Sequence, residues 1–250
     1  MMKQVASKDA ILRINKASTW IEEADLSFEV NESDGYALEE GLRLKEKHGG
    51  EVVVCSMGPQ RVKSVIKDAL ARGADRAIHV VADDLTKFSP YSAAKVLAEA
   101  IHDEQPDLIM TGLQSDDNGY AQTGVIMAEM LGMPHATIVI EVDASGESLR
   151  VKRELESGWY QWYSMPTPAL LTIQSGISQI RYASLKGIMA AKKKELKEVT
   201  PAVETRAPHQ RIEKIYLPEK TKQTQFLGNG DAKAGAIALA EKLHTEARII

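Results

Sequence analysis

Short apolar runs alternate with helical patterns along the first half of the chain. Residues 51–57, 76–81 and 107–112 have the length of buried strands and read "EVVVCSM", "RAIHVV" and "DLIMTG". Residues 61–75 and 89–104 repeat apolar side chains at helical spacing, and the second segment opens with a Ser-Pro pair typical of a helix start. This alternation predicts parallel strands joined by crossover helices.

The pattern changes after Pro134. Four strand-like runs joined by short polar turns follow: "TIVIEVD", "LRVKREL", "WYQWYSM" and "PALLTIQS". Strands joined by short turns are typically antiparallel. We therefore predict that an antiparallel portion extends the parallel sheet.

The run "WYQWYSM" carries aromatic side chains on both faces. Alternation places Trp159 and Tyr163 on one face, and Tyr160 and Trp162 on the other. Such a strand is either covered on both sides within the fold or contacts a partner chain.

The periodicity weakens from about residue 176 onward. A basic run, "AAKKKELKEV", is followed by a long segment with few apolar positions, and then by an amphipathic pattern in residues 231–244. A long tail of this kind is typical of a disordered segment or of one that packs on a partner, and the closing helix favours the partner. The sequence thus predicts an α/β fold with a doubly wound, mainly parallel sheet in residues 1–176, its antiparallel extension, a basic segment in 177–200 and a partner-embracing C-terminal arm in 201–250.

Length and charge narrow the functional classes. The chain has 250 residues, enough for a sizeable core, and its formal net charge of −4 argues against nucleic-acid binding. No apolar run reaches the roughly 20 residues that a bilayer requires, and the N-terminus lacks the apolar core of a signal peptide. We therefore expect a cytoplasmic protein without membrane insertion.

The single cysteine, Cys55, lies in an apolar run and is predicted to be a buried structural thiol.

Well-known catalytic and phosphate-binding patterns are absent from the sequence. There is no G-x-x-x-x-G-K-[ST], no G-x-G-x-x-G, no G-x-S-x-G, and no H-E-x-x-H among the six histidines. The chain therefore offers no candidate catalytic side chain, and we expect a protein that is not itself an enzyme.

The stretch "TGLQSDDNGYAQTG" (111–124) joins a predicted strand to a predicted helix. In open parallel sheets, ligands bind beyond the carboxyl ends of strands, where helix N-termini expose backbone N–H groups. Gln122, Thr123 and Gly124 suit a phosphate there, although an ordinary polar turn fits the pattern equally well. A metal site or acid/base catalysis at Asp116 and Asp117 is disfavoured, because no His or Cys lies nearby and catalytic carboxylates act from separate positions across a substrate.

Two other turns have the same placement. Residues 31–34 precede a helical pattern, and by themselves they are typical of a helix cap formed by Asn, Ser or Asp. Met57 precedes a Gly-Pro pair, which is typical of a tight turn between strand and helix.

Five segments, in order along nearly the whole chain, resemble the beta subunit of electron-transferring flavoprotein. They are "VNESDGYALEEGLRLKEKHGGEVVVCSMGP", "DALARGADRAIHV", "TGLQSDDNGYAQTG", "VKRELESGWYQWYSMPTPALLTIQSGI" and "RYASLKGIMAAKKK". The resemblance implies a heterodimer in which a larger alpha subunit holds most of the FAD and this subunit carries a buried AMP.

The resemblance also implies which residues bind AMP. By position they are Asn31, Glu32, Ser33, Asp34, Met57, Ser115, Asp116, Asp117, Asn118, Gly119, Tyr120, Ala121, Gln122, Thr123, Gly124, Val125 and Ile126. Bifurcating relatives hold a second FAD in place of AMP, and their turn tends to read D-G-D-T-A-Q-V-G-P. This chain reads "DNGYAQTGV" there, which favours AMP.

The segment "RYASL" resembles the recognition loop of the family, in which a leucine inserts into an apolar pocket of a partner dehydrogenase. Leu185 is then the anchor, and the basic residues around it are Lys186, Lys192, Lys193 and Lys194. The implied function is to carry electrons from a flavin dehydrogenase to a quinone-linked acceptor. The alternatives are a bifurcating carrier with a second FAD and a stand-alone adenine-nucleotide-binding protein of the universal-stress type.

The start of the chain departs from the family pattern. Family members usually have a full apolar strand before a "VKQV"-like segment, whereas this sequence begins "MMKQVASKDA". We therefore expect either a shortened first strand or a partly remodelled adenine pocket.

Overall fold

The computed structural model describes residues 1–201, 212–219 and 224–249. It confirms the α/β class. Its helices are α1 Glu32–His48, α2 Lys63–Arg72, α3 Pro90–Ile101, α4 Thr123–Met130, α5 Leu185–Ala191 and α6 Ala232–Lys242. Its strands are β1 Gln4–Ala6, β2 Phe28–Val30, β3 Val53–Gly58, β4 Arg76–Val81, β5 Leu108–Gly112, β6 His135–Asp143, β7 Leu149–Glu154, β8 Tyr160–Met165, β9 Ala169–Ile173 and β10 Leu196–Val199.

The strands form two main sheets and one small hairpin-like pair. A parallel sheet has the order β10-β4-β3, a mixed sheet has the order β5-β9-β6-β7-β8, and β1 pairs with β2 in antiparallel fashion. Helices cover both faces of the parallel sheet. Val54 and Ala77 pack in the apolar cluster that contains α2, while Cys55 and Ile78 pack in the cluster that contains α3 and α4. The doubly wound arrangement is therefore confirmed.

The first two residues connect the two main sheets. The N–H of Met2 donates to the Cys55 carbonyl of β3 at 2.9 Å, and the Met1 amino group donates to the Met110 carbonyl of β5 at 2.6 Å. Beside them, a cavity of about 540 Å³ separates the N-terminal halves of β3 and β5, with Val53 and Leu108 among its lining residues. Met1 and Met2 therefore bridge the two sheets beside this cavity. The two alternatives for the start of the chain, a shortened first strand and a remodelled adenine pocket, both stay predictions.

The antiparallel extension is confirmed for three strands and wrong for the fourth. β6, β7 and β8 pair in antiparallel fashion, whereas β9 pairs in parallel with both β5 and β6. All five residues of β9 are buried, as is typical of a central strand covered on both faces. β6 has a register shift near Ile138, whose φ is +57°, so that its first half pairs with β9 and its second half with β7.

The aromatic strand β8 is the edge of the mixed sheet, and its side chains alternate as predicted. The ammonium group of Lys152 lies over the rings of Tyr160 and Trp162, at 4.7 and 5.9 Å, while the Arg153 guanidinium lies 5.5 Å from the Tyr163 ring. Trp162 is nevertheless 42% exposed. Since β8 is not covered on both sides, the structure removes the internal-strand interpretation.

The last strand joins the parallel sheet from a distant part of the sequence. β10 pairs with β4, with Leu196 beside Ala77. This sheet therefore combines residues from both sides of the boundary predicted at residue 176, and the domain division stays a prediction. In the described part of the C-terminal arm, α6 is confirmed and none of its residues is buried. Residues 202–211, 220–223 and 250 of the predicted arm lie outside the described residues.

None of the helices in the described ranges is long and apolar enough to cross a membrane.

Candidate functional site

A cavity of about 210 Å³ lies where the carboxyl ends of β3 and β5 meet the N-termini of α1, α3 and α4. The three strand-to-helix turns singled out in the sequence all contribute to it. Its lining includes these predicted residues: Asn31, Asp34, Met57, Ser115, Asp117, Asn118, Tyr120, Ala121, Gln122, Thr123 and Gly124. The structure therefore brings together residues that lie up to 93 positions apart in the sequence, from residue 31 to residue 124.

Asp34 holds the floor of the cavity together. Its carboxylate accepts a hydrogen bond from the Lys3 N–H at 2.8 Å and another from the Gly112 N–H at 2.7 Å. Burial raises the pKa of this carboxyl, and the two donated hydrogen bonds act in the opposite direction. Asp34 thus ties α1 to β5 and to the residues before β1.

Gly112 is required at the end of β5 because α1 begins directly against it. A Cβ atom at this position would lie 2.2 Å from Ser33 Oγ and 2.6 Å from Asp34 Oδ1. Any side chain here would force the start of α1 away from β5.

Asn31 and Ser33 hold the loop that follows β5. The Asn31 amide donates to the Gln114 carbonyl at 2.9 Å and accepts from the Asp116 N–H at 2.9 Å, while Ser33 Oγ donates to the Gln114 carbonyl at 2.8 Å. Asn31 makes no side-chain hydrogen bond that caps its own helix, so the interpretation of this side chain as a helix cap is wrong. The neighbouring loop is a stronger partner because it offers both a carbonyl and an N–H.

Asp116 and Asp117 bind two different groups. Asp116 Oδ2 accepts from the Glu32 N–H at 3.3 Å, at the start of α1, while Asp117 Oδ1 lies 2.6 Å from Lys3 Nζ. Among the described residues no group of His, Cys, Asp and Glu is placed to hold a metal ion. The two carboxylates therefore fix the turn, and they bring the Lys3 ammonium group, which also lies 3.2 Å from Ser115 Oγ, to the cavity.

The start of α4 presents free hydrogen-bond donors to the cavity. No side chain caps this helix, and its first turn contains no acidic residue. The N–H groups of the first turn have no partner within a helix, and the helix dipole adds partial positive charge there. A Cβ atom at Gly124 would lie 2.7 Å from Thr111 Oγ1, so the helix start packs closely against β5. This end of the cavity can therefore bind an anion such as a phosphate.

Another part of the cavity lining is not predicted from the sequence. It comes from the connection between β4 and α3 and from the start of α3, and it includes Leu85, Phe88, Ser89 and Ala93. The signal was present, because this connection also follows a parallel strand and leads into a helix with a Ser-Pro start. Trp20, from the long connection between β1 and β2, also lines the cavity, and no local pattern marks it.

Some predicted binding residues lie outside the cavity lining. Ser33 and Asp116 act through the hydrogen bonds described above. Glu32 is paired with Lys8 at 2.6 Å, and Ile126 packs in the apolar cluster between α3 and α4. The remaining residues in this group are Gly119 and Val125. A ligand contact from any of the seventeen predicted residues, inside or outside this lining, stays a prediction.

The predicted docking segment forms the short helix α5. Leu185 is 84% exposed, and Lys186, Lys192 and Lys193 are exposed around it. Lys194 is the exception, because its ammonium group donates to the Leu70 and Ala74 carbonyls at 2.9 and 2.5 Å. Burial lowers the pKa of this lysine. Lys194 therefore caps the C-terminus of α2 and does not point towards solvent.

Comparisons with known proteins agree on one family. The family model described as the electron transfer flavoprotein domain matches residues 18–204. A protein of Methylophilus methylotrophus named electron transfer flavoprotein subunit beta is 36% identical over 248 residues, covering 94% of each chain. A protein with the same name from Bradyrhizobium diazoefficiens is 38% identical over 204 residues, covering 80% of each chain. A mitochondrial one from Oryza sativa subsp. japonica is 33% identical and covers 100% of this chain and 98% of its own.

Proposed function

The chain belongs to the electron transfer flavoprotein family, in which its relatives are named beta subunits, and on this premise we propose that it is the AMP-carrying beta subunit of a heterodimeric electron carrier. The observation that carries the proposal is that an uncapped helix start and apolar side chains line the same cavity. A nucleotide needs both features, because its phosphate is an anion and its base is a flat, largely apolar ring.

The phosphate of AMP would bind at the start of α4. The backbone N–H of Gly124 and the hydroxyl of Thr123 would donate to it, and Lys3 would supply positive charge. Gly124 suits this role because it already packs closely against Thr111, which places the first helical turn at the cavity surface.

The adenine would lie against the apolar wall formed by Met57, Leu85, Phe88 and Ala93. The turn reads "DNGYAQTGV", where bifurcating relatives tend to read D-G-D-T-A-Q-V-G-P, and this difference supports AMP over a second FAD in the cavity.

FAD would be held mainly by the alpha subunit and would supply the electron-transfer chemistry when bound. The contribution of this chain is structural, since it holds AMP and provides surfaces for the alpha subunit and for the electron donor. The described part of the C-terminal arm supports the contact with an alpha subunit: Phe226 is 92% exposed, Leu217 is 77% exposed and Ile237 is 61% exposed. Such a series of exposed apolar side chains is typical of an interaction surface.

The electron donor would be a flavin dehydrogenase that docks on α5, and the acceptor a quinone-linked reductase. The support for docking is that Leu185 stands almost fully exposed among Lys186, Lys192 and Lys193. An exposed apolar side chain surrounded by positive charge fits an apolar pocket with an acidic rim. Action in the cytoplasm is part of the same proposal.

Mass analysis of the nucleotides released from the purified heterodimer tests the cofactor assignment. We expect one AMP and one FAD per heterodimer. Gly124→Ala should lower the AMP content severalfold, because the added Cβ moves the start of α4 away from Thr111. Gly146→Ala is the matched control, since its Cβ would meet no atom closer than 4.0 Å. Two FAD per heterodimer would establish the bifurcating alternative, and a stable homodimer with a nucleotide and no alpha subunit would establish the stress-type alternative.

A second experiment tests docking. Leu185→Ala should slow electron transfer from the cognate dehydrogenase by about tenfold or more, because alanine removes the anchor of the interface. The FAD and AMP contents should not change. Leu12→Ala, at a leucine that is 51% exposed on a different surface loop, is the control and should leave the rate unchanged.

A further inference from the structure

The segment that enters α5 is fixed to α1 by one arginine. Nε of Arg181 lies 3.1 and 3.0 Å from the two carboxylate oxygens of Glu39, and Nη2 lies 2.9 Å from Glu39 Oε1. The backbone N–H of Arg181 also donates to Glu39 at 3.1 Å. The same guanidinium binds Glu46, two turns further along the same face of α1, through both of its terminal nitrogens.

This contact is stronger than an ordinary surface ion pair. Glu39 is only 4% exposed, and several parallel N–H to oxygen bonds join it to Arg181, which is the geometry that guanidinium and carboxylate groups favour. Hydrogen bonding to Arg181 also lowers the pKa of Glu46. Because the Glu39 carboxylate is buried and Arg181 is the cation that pairs with it, separating the two would leave an unpaired buried charge. Arg181 is therefore held in a fixed place.

The rest of α5 is fixed just as closely. Ser184 Oγ accepts from the Gly187 N–H at 3.0 Å and caps the helix. Gly187 lies against α2, because a Cβ atom there would be 2.1 Å from the Ala71 carbonyl oxygen. Beyond the helix, Lys194 binds the end of α2 and β10 enters the sheet. The helix is thus held at its start, along its length and after its end.

Four apolar side chains face outward from this rigid support. Tyr182 is 93% exposed, Leu185 84%, Met189 63% and Ile188 44%. Leu185, Ile188 and Met189 are spaced i, i+3 and i+4, so they share one helical face. Binding usually orders a flexible surface segment, and this ordering costs conformational entropy. A face that is already fixed before binding avoids most of that cost.

We propose that Arg181, held by the buried Glu39, is a positioning residue for the electron donor: it pre-organises the apolar face of α5 for a dehydrogenase surface with an apolar pocket and an acidic rim. This inference rests on the proposed docking function. Arg181 itself does not touch the donor, and its effect passes through α5.

Steady-state electron transfer in the heterodimer tests the proposal, with a panel of purified acyl-CoA and amine dehydrogenases as donors. With the panel member that reduces the unaltered heterodimer best, Arg181→Gln should raise the KM for the heterodimer about tenfold, while kcat and the FAD and AMP contents stay unchanged. Hydrogen exchange of the α5 amides should become faster. Arg43→Gln is the matched control, because Arg43 also pairs with a glutamate of α1, Glu40, without contacting α5.

A double-mutant cycle with Leu185→Ala separates positioning from general stability. If Arg181 acts through α5, Arg181→Gln should add little to the effect of Leu185→Ala on KM. Fully additive effects contradict the proposal. If Arg181→Gln alone fails to fold, the double variant Glu39→Gln/Arg181→Gln replaces it, because it leaves no unpaired buried carboxylate. The KM of this double variant is then measured. A normal KM in that double variant also contradicts the proposal.

The outcomes for the two inferences differ. If Leu185→Ala raises KM and Arg181→Gln does not, docking stands and the positioning role is wrong. If neither Leu185→Ala nor Arg181→Gln changes KM, or if no dehydrogenase of the panel reduces the heterodimer, the docking function itself is wrong.

Discussion

Two regions of the molecule differ in which side chains they bury. One is the cavity at the ends of β3 and β5, and the other is the outer surface formed by α5 and the C-terminal arm. In the cavity, polar groups such as Asn31 and Asp34 are buried, and each has hydrogen-bond partners within the chain. On the outer surface, apolar groups such as Leu185 and Phe226 are exposed. Buried polar groups are stable only when they are paired, while exposed apolar groups gain stability only when something covers them.

The difference shows which interactions the chain completes by itself. The cavity is already organised by contacts between segments of one chain, and in the proposed function a small ligand is the component to be added. The outer surface is the one that the proposal assigns to other proteins. Perturbations of the cavity should therefore appear as losses of chain stability and of nucleotide, whereas perturbations of the surface should appear as losses of association.

The largest effect is expected at α6. Ile237→Asp together with Ala240→Asp, three positions further along the same face of α6, places two charges in the surface assigned to the alpha subunit and should weaken the heterodimer by about 4 kcal/mol, roughly a thousandfold. The circular dichroism of the separated chain should not change, because neither residue is buried. Co-purification with the alpha subunit measures the effect. Glu241→Gln on the same helix is the control, and equal retention of the double variant and the control would remove α6 from the interface.

The next largest effect is expected inside the cavity floor. Gly112→Ala should destabilise the chain by about 3 kcal/mol and remove the nucleotide, because the new Cβ overlaps Ser33 and Asp34. Urea unfolding monitored by fluorescence gives the free energy. Gly41→Ala, on the α1 helix and with no atom within 4 Å of the new Cβ, should instead stabilise the chain by about 0.5–1 kcal/mol. A neutral result for Gly112→Ala would mean that α1 does not begin against β5.

A smaller effect concerns pH at the Arg181 contact. The hydrogen bond from Arg181 lowers the pKa of Glu46 below its ordinary value of 4.5, so this carboxylate stabilises the folded state above pH 4.5. The stabilisation is lost as the pH falls through the lower pKa of the folded state. The difference in Tm between the unaltered chain and Glu46→Gln should therefore be constant near neutral pH and shrink towards zero below pH 4.5. A difference that grows in acid contradicts this assignment.

The smallest effect is a lack of reactivity at Cys55. Burial raises the pKa of its thiol to about 12, so at pH 8 only about one molecule in ten thousand carries a thiolate. A colorimetric thiol reagent should not react with the folded chain, and it should react once per chain in urea. Prompt reaction without denaturant would show that the β3 face of the cavity opens in solution.

Much of the fold followed from local patterns. β4 spans residues 76–81, as predicted, because a continuous apolar run between polar turns leaves few alternatives. The grouping of three turns in one cavity also followed, since parallel strands bring their carboxyl ends to one edge. The antiparallel prediction is wrong for β9. Its short connection to β8 indicates an antiparallel pair, but its continuous apolar sequence is typical of a central parallel strand, and all five of its residues are buried.

Other parts of the site could not be predicted from local patterns. Lys3 reaches Asp117 across 114 positions, and Arg181 reaches Glu39 across 142 positions. Neither contact leaves a periodic signal, because any lysine or arginine is an equally good partner for a carboxylate until the fold is known. The inward direction of Lys194 is a similar case, since the sequence places it in a run of three lysines that looks uniformly exposed.

The position of β9 between β5 and β6 imposes an order on biosynthesis. β5 leaves the ribosome about 60 residues before β9 does, an interval of roughly 3–12 s at about 5–20 residues per second. During that time the nascent chain holds β5 without its neighbour, and the cavity, where Gly124 packs on Thr172 of β9, has no finished wall. We therefore expect that slower translation through this interval lengthens the time for which the edge of β5 is exposed.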